Sequence, residues 1–357
     1  MKTEYRPFTS EMIPEAGELL AKRHTCNRRM LPLLPARFED THVAAKAVED
    51  LWQAKYKNGY AAFRNGKMTA YLIGDFEDTP WARSGYVYLH GYALADGESL
   101  TVVQDLYALL GEDWVQRGIF SHNMYISAAD KEVIQGLFTI GLGMERVDGL
   151  LDLRTLEIPK LDVPQTITIR RAGNDDSDRA GSVAYVMLDA LGSAPYWLPI
   201  VPEAYDDFKE RWSRRVDGIS EGGKEWAVWM ALEQDQAVGT VAFFKNTEQE
   251  YEVQMLLSPH TIYLATAVTK PEVRNHGIAN ILTWRGLEEA RREGFEICLV
   301  NWVTPNLLAS RYWPRFGFQE VAYRLSKQVN PMTTWAKPEG PSSPSRIDWI
   351  LGRERKI

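Results

Sequence analysis

Tyr263-Leu264-Ala265-Thr266-Ala267-Val268-Thr269-Lys270-Pro271-Glu272-Val273-Arg274-Asn275-His276-Gly277-Ile278-Ala279 is the stretch that decides the reading. Its first half is a continuous apolar run rich in β-branched and small residues, the pattern of a buried strand, here Thr261 to Val268. A proline then ends the strand, and Ile278 to Arg291 takes up a helical period. Between them Arg-x-x-Gly-x-Ala stands at the mouth of the helix. Small residues there let a ligand approach the backbone, several N–H groups converge, and the helix dipole favours an anion. The pattern is that of a phosphate-binding loop, although six residues of this kind carry little specificity alone.

The surroundings extend it. Upstream, Trp226 to Leu232 and Ala237 to Phe243 flank a polar turn and read as a hairpin; downstream come a strand from Phe295 to Trp302 and then Asn306-Leu307-Leu308-Ala309-Ser310-Arg311-Tyr312-Trp313-Pro314-Arg315-Phe316-Gly317-Phe318. The first half of the chain echoes this order. Tyr5 to Phe8 and a capped helical pattern match Ile167 to Arg171 and theirs. Tyr60 to Phe63 and Thr69 to Ile73, joined by Asn65-Gly66, form a hairpin whose turn needs the positive φ that Asn-Gly supplies. A strand from Tyr86 to Ala93, a helix from Leu100 to Trp114, a strand from Ile119 to Ile126 and the close Leu142-Gly143-Met144-Glu145-Arg146-Val147 follow, the last matching Phe316 to Val321. The offset between the halves stays near 164 to 176 residues. The chain therefore reads as two copies of one α/β unit with a mixed sheet, residues 1–156 and 165–330, with a seam at Leu156 to Pro164 and a tail over 331–357 in which Ile347 to Leu351 would add an edge strand.

Strand, Arg-x-x-Gly-x-Ala loop, helix, strand, then Asn-x-x-Ala and a closing Gly-Phe resembles the GNAT acyltransferase superfamily, closely from about Trp226 to Leu325 and by element order alone in the first half. The resemblance implies two tandem acyl-CoA N-acyltransferase folds and acetyl-CoA as acyl donor. It implies that the splayed end of the strand at Ala267, Val268 and Thr269 meets the pantetheine arm, that Arg274, Asn275, His276, Gly277, Ile278 and Ala279 hold the pyrophosphate, and that Asn306 lies near the pantetheine. The implied reaction is attack of a neutral primary amine of a small molecule on the thioester, with a base taking the amine proton, a strand N–H holding the oxyanion and an acid protonating the departing thiolate.

One position departs from the family pattern. Where members carry a tyrosine five residues before the closing Phe318, this chain has Trp313, whose indole N–H is no acid at accessible pH. Tyr312 is adjacent and is the candidate catalytic residue. The stretch from Val268 to Arg274 also has one residue more than the pattern. A non-catalytic acyl-CoA-binding module is the alternative, and tandem members that acylate thiol precursors, aminoglycosides or peptide amines set the range of acceptors.

The first half lacks the equipment. Leu94-Ala95-Asp96-Gly97-Glu98-Ser99 has no arginine and two carboxylates, which repel pyrophosphate, and Glu132 and Gln135 replace the Asn-x-x-Ala residues. This copy reads as degenerate. Tyr205, Phe208 and Trp212 fall at helical spacing and read as a packing face; Glu252 and His260, just upstream of the key strand, are the candidate bases for the amine.

Composition bounds the rest. The chain has 357 residues, 45% hydrophobic, with a net charge of -7, which excludes collagen-like, disulfide-rich and disordered classes and argues against nucleic-acid and anionic-membrane partners. Cys26 and Cys298 have no metal-ligand spacing, so no metal site is expected, and both read as reduced thiols. The charged N-terminus and the lack of a run of ~20 apolar residues point to a cytoplasmic location. A homodimer is left open.

Overall fold

The computed structural model describes residues 3–78, 83–216, 226–245 and 251–334. The chain divides into two compact units, residues 1–146 with 321–357 and residues 147–320.

Unit 1 begins with β1 (Glu4–Pro7), α1 (Ile13–Met30) and α2 (Thr41–Trp52). The sequence reading did not identify α2, yet its signals are ordinary ones. Asp40 caps it by accepting from the His42 and Val43 N–H groups, and Ala44, Ala47, Val48 and Leu51 bury one face at helical spacing. The hairpin β2 (Asn58–Arg64) and β3 (Lys67–Asp78) turns at Asn65 and Gly66, with φ of 54° and 78°. The strand expected over Tyr86 to Ala93 is broken in two, β4 (Arg83–Val87) and β5 (Tyr92–Leu94), around a single 3-10 turn at Leu89–Gly91. At the break the Tyr71 hydroxyl, nineteen residues away in sequence, donates to His90 O, and Gly91 lies so close to β3 that a Cβ would come within 2.5 Å of Ile73 O. Then follow α3 (Thr101–Gln116), β6 (Ser121–Ser127), α4 (Lys131–Thr139) and β7 (Gly143–Asp152). The sheet of unit 1 runs β1-β2-β3-β4-β6, with β4 and β6 parallel and β5 paired to β3. Leu106, Leu110 and Trp114 of α3 pack on it with Leu72, Val87 and Met124.

Unit 2 contains β8 (Ile167–Arg171), α5 (Ser177–Gly181), α6 (Tyr185–Gly192), α7 (Pro202–Arg214), β9 (Trp226–Glu233), β10 (Gln236–Phe244), β11 (Thr261–Thr269), α8 (Ile278–Arg292), β12 (Ile297–Val303) and α9 (Leu307–Phe316). Its sheet orders β12-β11-β10-β9-β8, with β11 and β12 parallel and the other pairs antiparallel. Successive residues of a strand face opposite sides. Ala242 of β10 joins Val183, Val186 and Trp212 beneath α5 to α7, and the next residue, Phe243, meets α8 at Gly286. The face read from Tyr205, Phe208 and Trp212 divides accordingly: Trp212 is buried, Phe208 packs at the edge of this core, and Tyr205 is exposed with its hydroxyl donating to Asp189.

The compact units differ from the sequence halves at their closing strands. β7 closes the first half, but from Val147 onward it belongs to unit 2, next to β12; β13 (Gln319–Gln328) closes the second half, but from Val321 onward it belongs to unit 1, antiparallel to β6. Order along the chain governs a repeat, whereas strand pairing governs compactness, so the expected limits 1–156 and 165–330 do not mark the compact units. A 3-10 turn spans Pro331–Thr334, and the edge strand expected at Ile347 to Leu351 lies outside the described residues.

Candidate functional site

β11 and β12 pair in register from Thr261 with Ile297 to Leu264 with Val300, and there the pairing ends although both strands continue. On its other edge β11 keeps its pairing with β10 as far as Thr269, with a register shift between Ala242 and Phe243. Residues 266–269 therefore keep their pairing with β10 on one edge, and among the described residues no strand pairs with the other edge. A strand edge left open in this way presents N–H and C=O groups to an extended ligand.

The chain leaves β11 through a 3-10 turn, Pro271–Val273. Arg274 follows, its Nε donating to Thr269 O at 3.3 Å, which ties the loop back to the strand end. Asn275 and Gly277 take φ of 65° and 76°, the left-handed conformation that Asn tolerates and Gly adopts freely. Gly277 is the N-cap of α8 and offers no side chain; no side chain among the described residues caps the helix. The first helical bond runs from Ile281 N–H to Gly277 O, so the N–H groups before it point out of the helix mouth. A Cβ at Gly277 would meet nothing within 4 Å, and Gly277, Ile278 and Ala279 border a cleft. Uncapped N–H groups, a helix dipole and an arginine fit an anion of the size of a diphosphate.

α9 forms the opposite wall. Asn306 caps it, with Oδ1 accepting from Ala309 N–H at 3.3 Å, and Gly317 ends it with φ of 102°. Tyr312 lies against α8, its hydroxyl 3.3 Å from Thr283 Oγ1, and burial pushes its phenol up to about 12. Trp313 is buried against Phe318.

These elements enclose a cleft of about 450 Å³. Ten of the eleven residues expected from the sequence line it: Ala267, Val268, Thr269, Arg274, Asn275, Gly277, Ile278, Ala279, Asn306 and Tyr312. His276 is exposed and does not line it. Trp313 lines it beside Tyr312, so the substitution at the family's tyrosine position and its neighbour share the cleft wall. Neither Glu252 nor His260 is among the lining residues. The sequence reading missed the third wall, Val186, Met187 and Ala190 of α6, because three apolar residues of a short helix carry no signal that they border a ligand rather than a core.

Among the described residues no cluster of His, Cys, Asp and Glu could hold a metal ion, and no helix is long and apolar enough to cross a membrane. Cys298 is fully buried in β12, and burial pushes its thiol up.

Residues 195–318 match the model of the acetyltransferase (GNAT) family, about a third of the chain and the part that holds the cleft. The sequence has no match among curated proteins. Solved structures of similar fold include a tandem GNAT protein from the clavulanic acid biosynthesis pathway, 14% identical over 92% of this chain and 99% of that one with a TM-score of 0.52. A GCN5-related N-acetyltransferase from Sphaerobacter thermophilus is 16% identical over 92% and 96%, with a TM-score of 0.57. A GCN5-related glucosamine N-acetyltransferase region of a fungal multi-domain GH3 β-N-acetylglucosaminidase is 13% identical over 91% of this chain and 38% of that one, with a TM-score of 0.55. The chain thus matches the GNAT family model at 195–318 and has a fold similar to that of a tandem GNAT protein.

Proposed function

We propose that unit 2 is an N-acyltransferase that takes an acyl-CoA, with acetyl-CoA the expected donor, into the cleft between β11, α8 and α9 and passes the acyl group to the primary amine of a small molecule. The observation that supports this most is the conjunction, in one cleft, of an uncapped helix mouth with the unpaired edge of β11. The bound thioester would supply the activated acyl group. The chain's own residues bind and orient. Main-chain N–H groups from Gly277 to Ala279, with Arg274, hold the diphosphate. The open edge at Ala267, Val268 and Thr269 hydrogen-bonds the amides of the pantetheine arm as a partner strand would. Asn306 has its Oδ1 engaged by Ala309, which leaves its amide N–H groups to donate to a pantetheine carbonyl.

Tyr312 acts at the thiolate. A phenol pushed up to about 12 lies about 3.5 units above a thiol at about 8.5, so full proton transfer to the leaving group runs uphill by about 5 kcal/mol. Its part is to donate a hydrogen bond to the charge developing on sulfur, which a fair leaving group needs only modestly.

The test is thiol release from acetyl-CoA over a panel of amines that includes aryl and alkyl amines, aminoglycosides, peptide amines and amine-bearing thiol precursors. Turnover on one class supports the transferase and identifies its acceptor. Tight CoA binding with no turnover on any class would favour the non-catalytic module, a reading that Trp313 at the family's tyrosine position keeps in play.

A further inference from the structure

Trp313 carries a donor that no described residue of unit 2 accepts. An indole Nε1–H donates and cannot accept, and in a packed protein it usually finds a partner. Trp212 and Trp229 of the same unit give theirs to Thr240 Oγ1 at 3.2 Å and to Glu289 Oε2 at 2.8 Å. Trp313 Nε1 makes no hydrogen bond among the described residues, nor is it sealed into a core as Trp114 Nε1 is in unit 1. The ring is 5% exposed, wedged against Tyr312, Phe316 and Phe318, and it lines the cleft.

A second cavity, of about 330 Å³, orders the cleft from end to end. It shares Arg274 and Asn306 with the cleft but neither Ala267, Tyr312 nor Trp313, so these last three stand at the end away from the phosphate-binding arginine. Helix geometry agrees. Trp313 follows Asn306 by seven residues, about 10 Å along α9 and within about 20° of the same face. With the diphosphate at Arg274 and the pantetheine arm beside Asn306, the atoms that reach Trp313 are those of the thioester. The sulfur is the one that becomes charged when the acyl group leaves, and a charged acceptor makes the stronger hydrogen bond. The neighbouring phenol is less available to it. Tyr312 has its hydroxyl 3.3 Å from Thr283 Oγ1, which itself donates to Ala279 O at 2.8 Å, so the phenol hydrogen has a second acceptor and the indole hydrogen has none among the described residues.

We propose that Trp313 Nε1–H is a catalytic hydrogen-bond donor to the sulfur of the acyl donor, and that it holds this sulfur as a thiolate where a tyrosine would protonate it. This rests on the reading that unit 2 binds acyl-CoA. The step balances without an acid. The amine nitrogen forms the new C–N bond, the C–S bond breaks with its electron pair kept on sulfur, and the amine proton passes to solvent water. An indole keeps its hydrogen at every accessible pH, so the donor is in place throughout.

The experiment compares CoA with desulfo-CoA, which lacks only the thiol, by calorimetric titration of the full chain at about pH 6 and about pH 9.5, below and above the ordinary thiol value of about 8.5. The ratio of the two affinities cancels every other group that titrates. In wild-type protein CoA gains on desulfo-CoA by about tenfold between the two pH values, because the held thiolate binds better than the thiol. In Trp313→Phe the gain falls to about twofold, the part left to Tyr312, while the affinity for desulfo-CoA is kept. Trp313→Tyr, which puts a donor back on the ring, recovers about fivefold. A gain that stays near tenfold in Trp313→Phe overturns the proposal. So does a loss of affinity shared equally by CoA and desulfo-CoA, the mark of a residue that only packs, and so does wild-type protein that binds CoA with no gain between the two pH values. Wild-type protein that binds neither ligand overturns the acyl-CoA reading itself, a result distinct from the others.

Discussion

The mouths of α3 in unit 1 and α8 in unit 2 occupy the same place in the element order, yet one is filled and the other open. At α8 the cap is a glycine that lines the cleft, and no side chain among the described residues caps the helix. At α3 the chain satisfies its own donors: Ser99 Oγ accepts from Thr101 N–H, Ser99 O from Val102 N–H, and Leu100 O from Val103 N–H. Glu98 sits at this mouth as well, accepting from Ser99 N–H and pairing with Arg64 at 2.8 Å. The strand edges differ too. β11 continues past its divergence from β12, whereas its counterpart breaks into β4 and β5. Near that break the buried Asp130 takes Arg23 of α1 at 2.5 Å and the Tyr92 hydroxyl of β5. Asp130, and not the Glu132 expected from the sequence, stands at the N-cap position of α4 as Asn306 does at α9, but its side chain makes no cap hydrogen bond. In unit 2 that position lines a cleft, and in unit 1 it is the centre of a buried ion pair. A binding loop is lost most stably when protein groups take over each hydrogen bond and charge the ligand had supplied, because bare buried groups cost about 1–3 kcal/mol each.

Changes on either side of this contrast test it. The largest effect is expected from Arg274→Glu with Gly277→Pro, which reverses the loop charge, removes an N–H and forces φ from +76° to about -65°. Acetyl-CoA affinity should fall at least a thousandfold, about 4 kcal/mol, by calorimetry with the thermal midpoint held. Next, Arg23→Ala strands the Asp130 carboxylate in unit 1 and should cost about 3 kcal/mol of stability in a denaturant titration, with no second CoA site gained. If a second site did appear, the ion pair would be a plug over a working cleft and the contrast would fail.

Tyr312→Phe should lower kcat about thirtyfold and leave acetyl-CoA affinity unchanged. Because burial raises the phenol to about 12, it keeps its proton from pH 6 to 10, so wild-type kcat should show no alkaline fall in that range. An alkaline limb near pH 9 that vanished in the Phe variant would show the phenol titrating there. The smallest effect belongs to Asp96→Ala. Its carboxylate is exposed and 3.7 Å from Arg23, so stability should move by less than about 0.5 kcal/mol and CoA binding not at all.

The local half of this account was legible in the sequence. Asn65-Gly66 announced its turn, Pro271 ended β11, and Arg274 to Ala279 marked a helix mouth, because each depends on the φ preferences and capping chemistry of neighbours in sequence. Asn306 was placed beside the pantetheine through family resemblance; its local duty, capping α9, could have been read from an Asn standing just before a helical run. What was not legible depends on pairing across distance. The divergence of β11 from β12 after Leu264 comes from register, not composition, and nothing in Val321 to Gln328 tells that this strand pairs with Ser121 to Ser127. The break before Tyr92 needed the Tyr71 hydroxyl, remote in sequence, to hold His90 O.

The most direct test of the claim that one mouth binds and the other does not is the number of CoA molecules taken up per chain. Titration of the full chain should give one, lost in Arg274→Glu with Gly277→Pro and kept in Asp96→Ala. Two per chain, or one that survives the change at Arg274 and Gly277, would contradict the account.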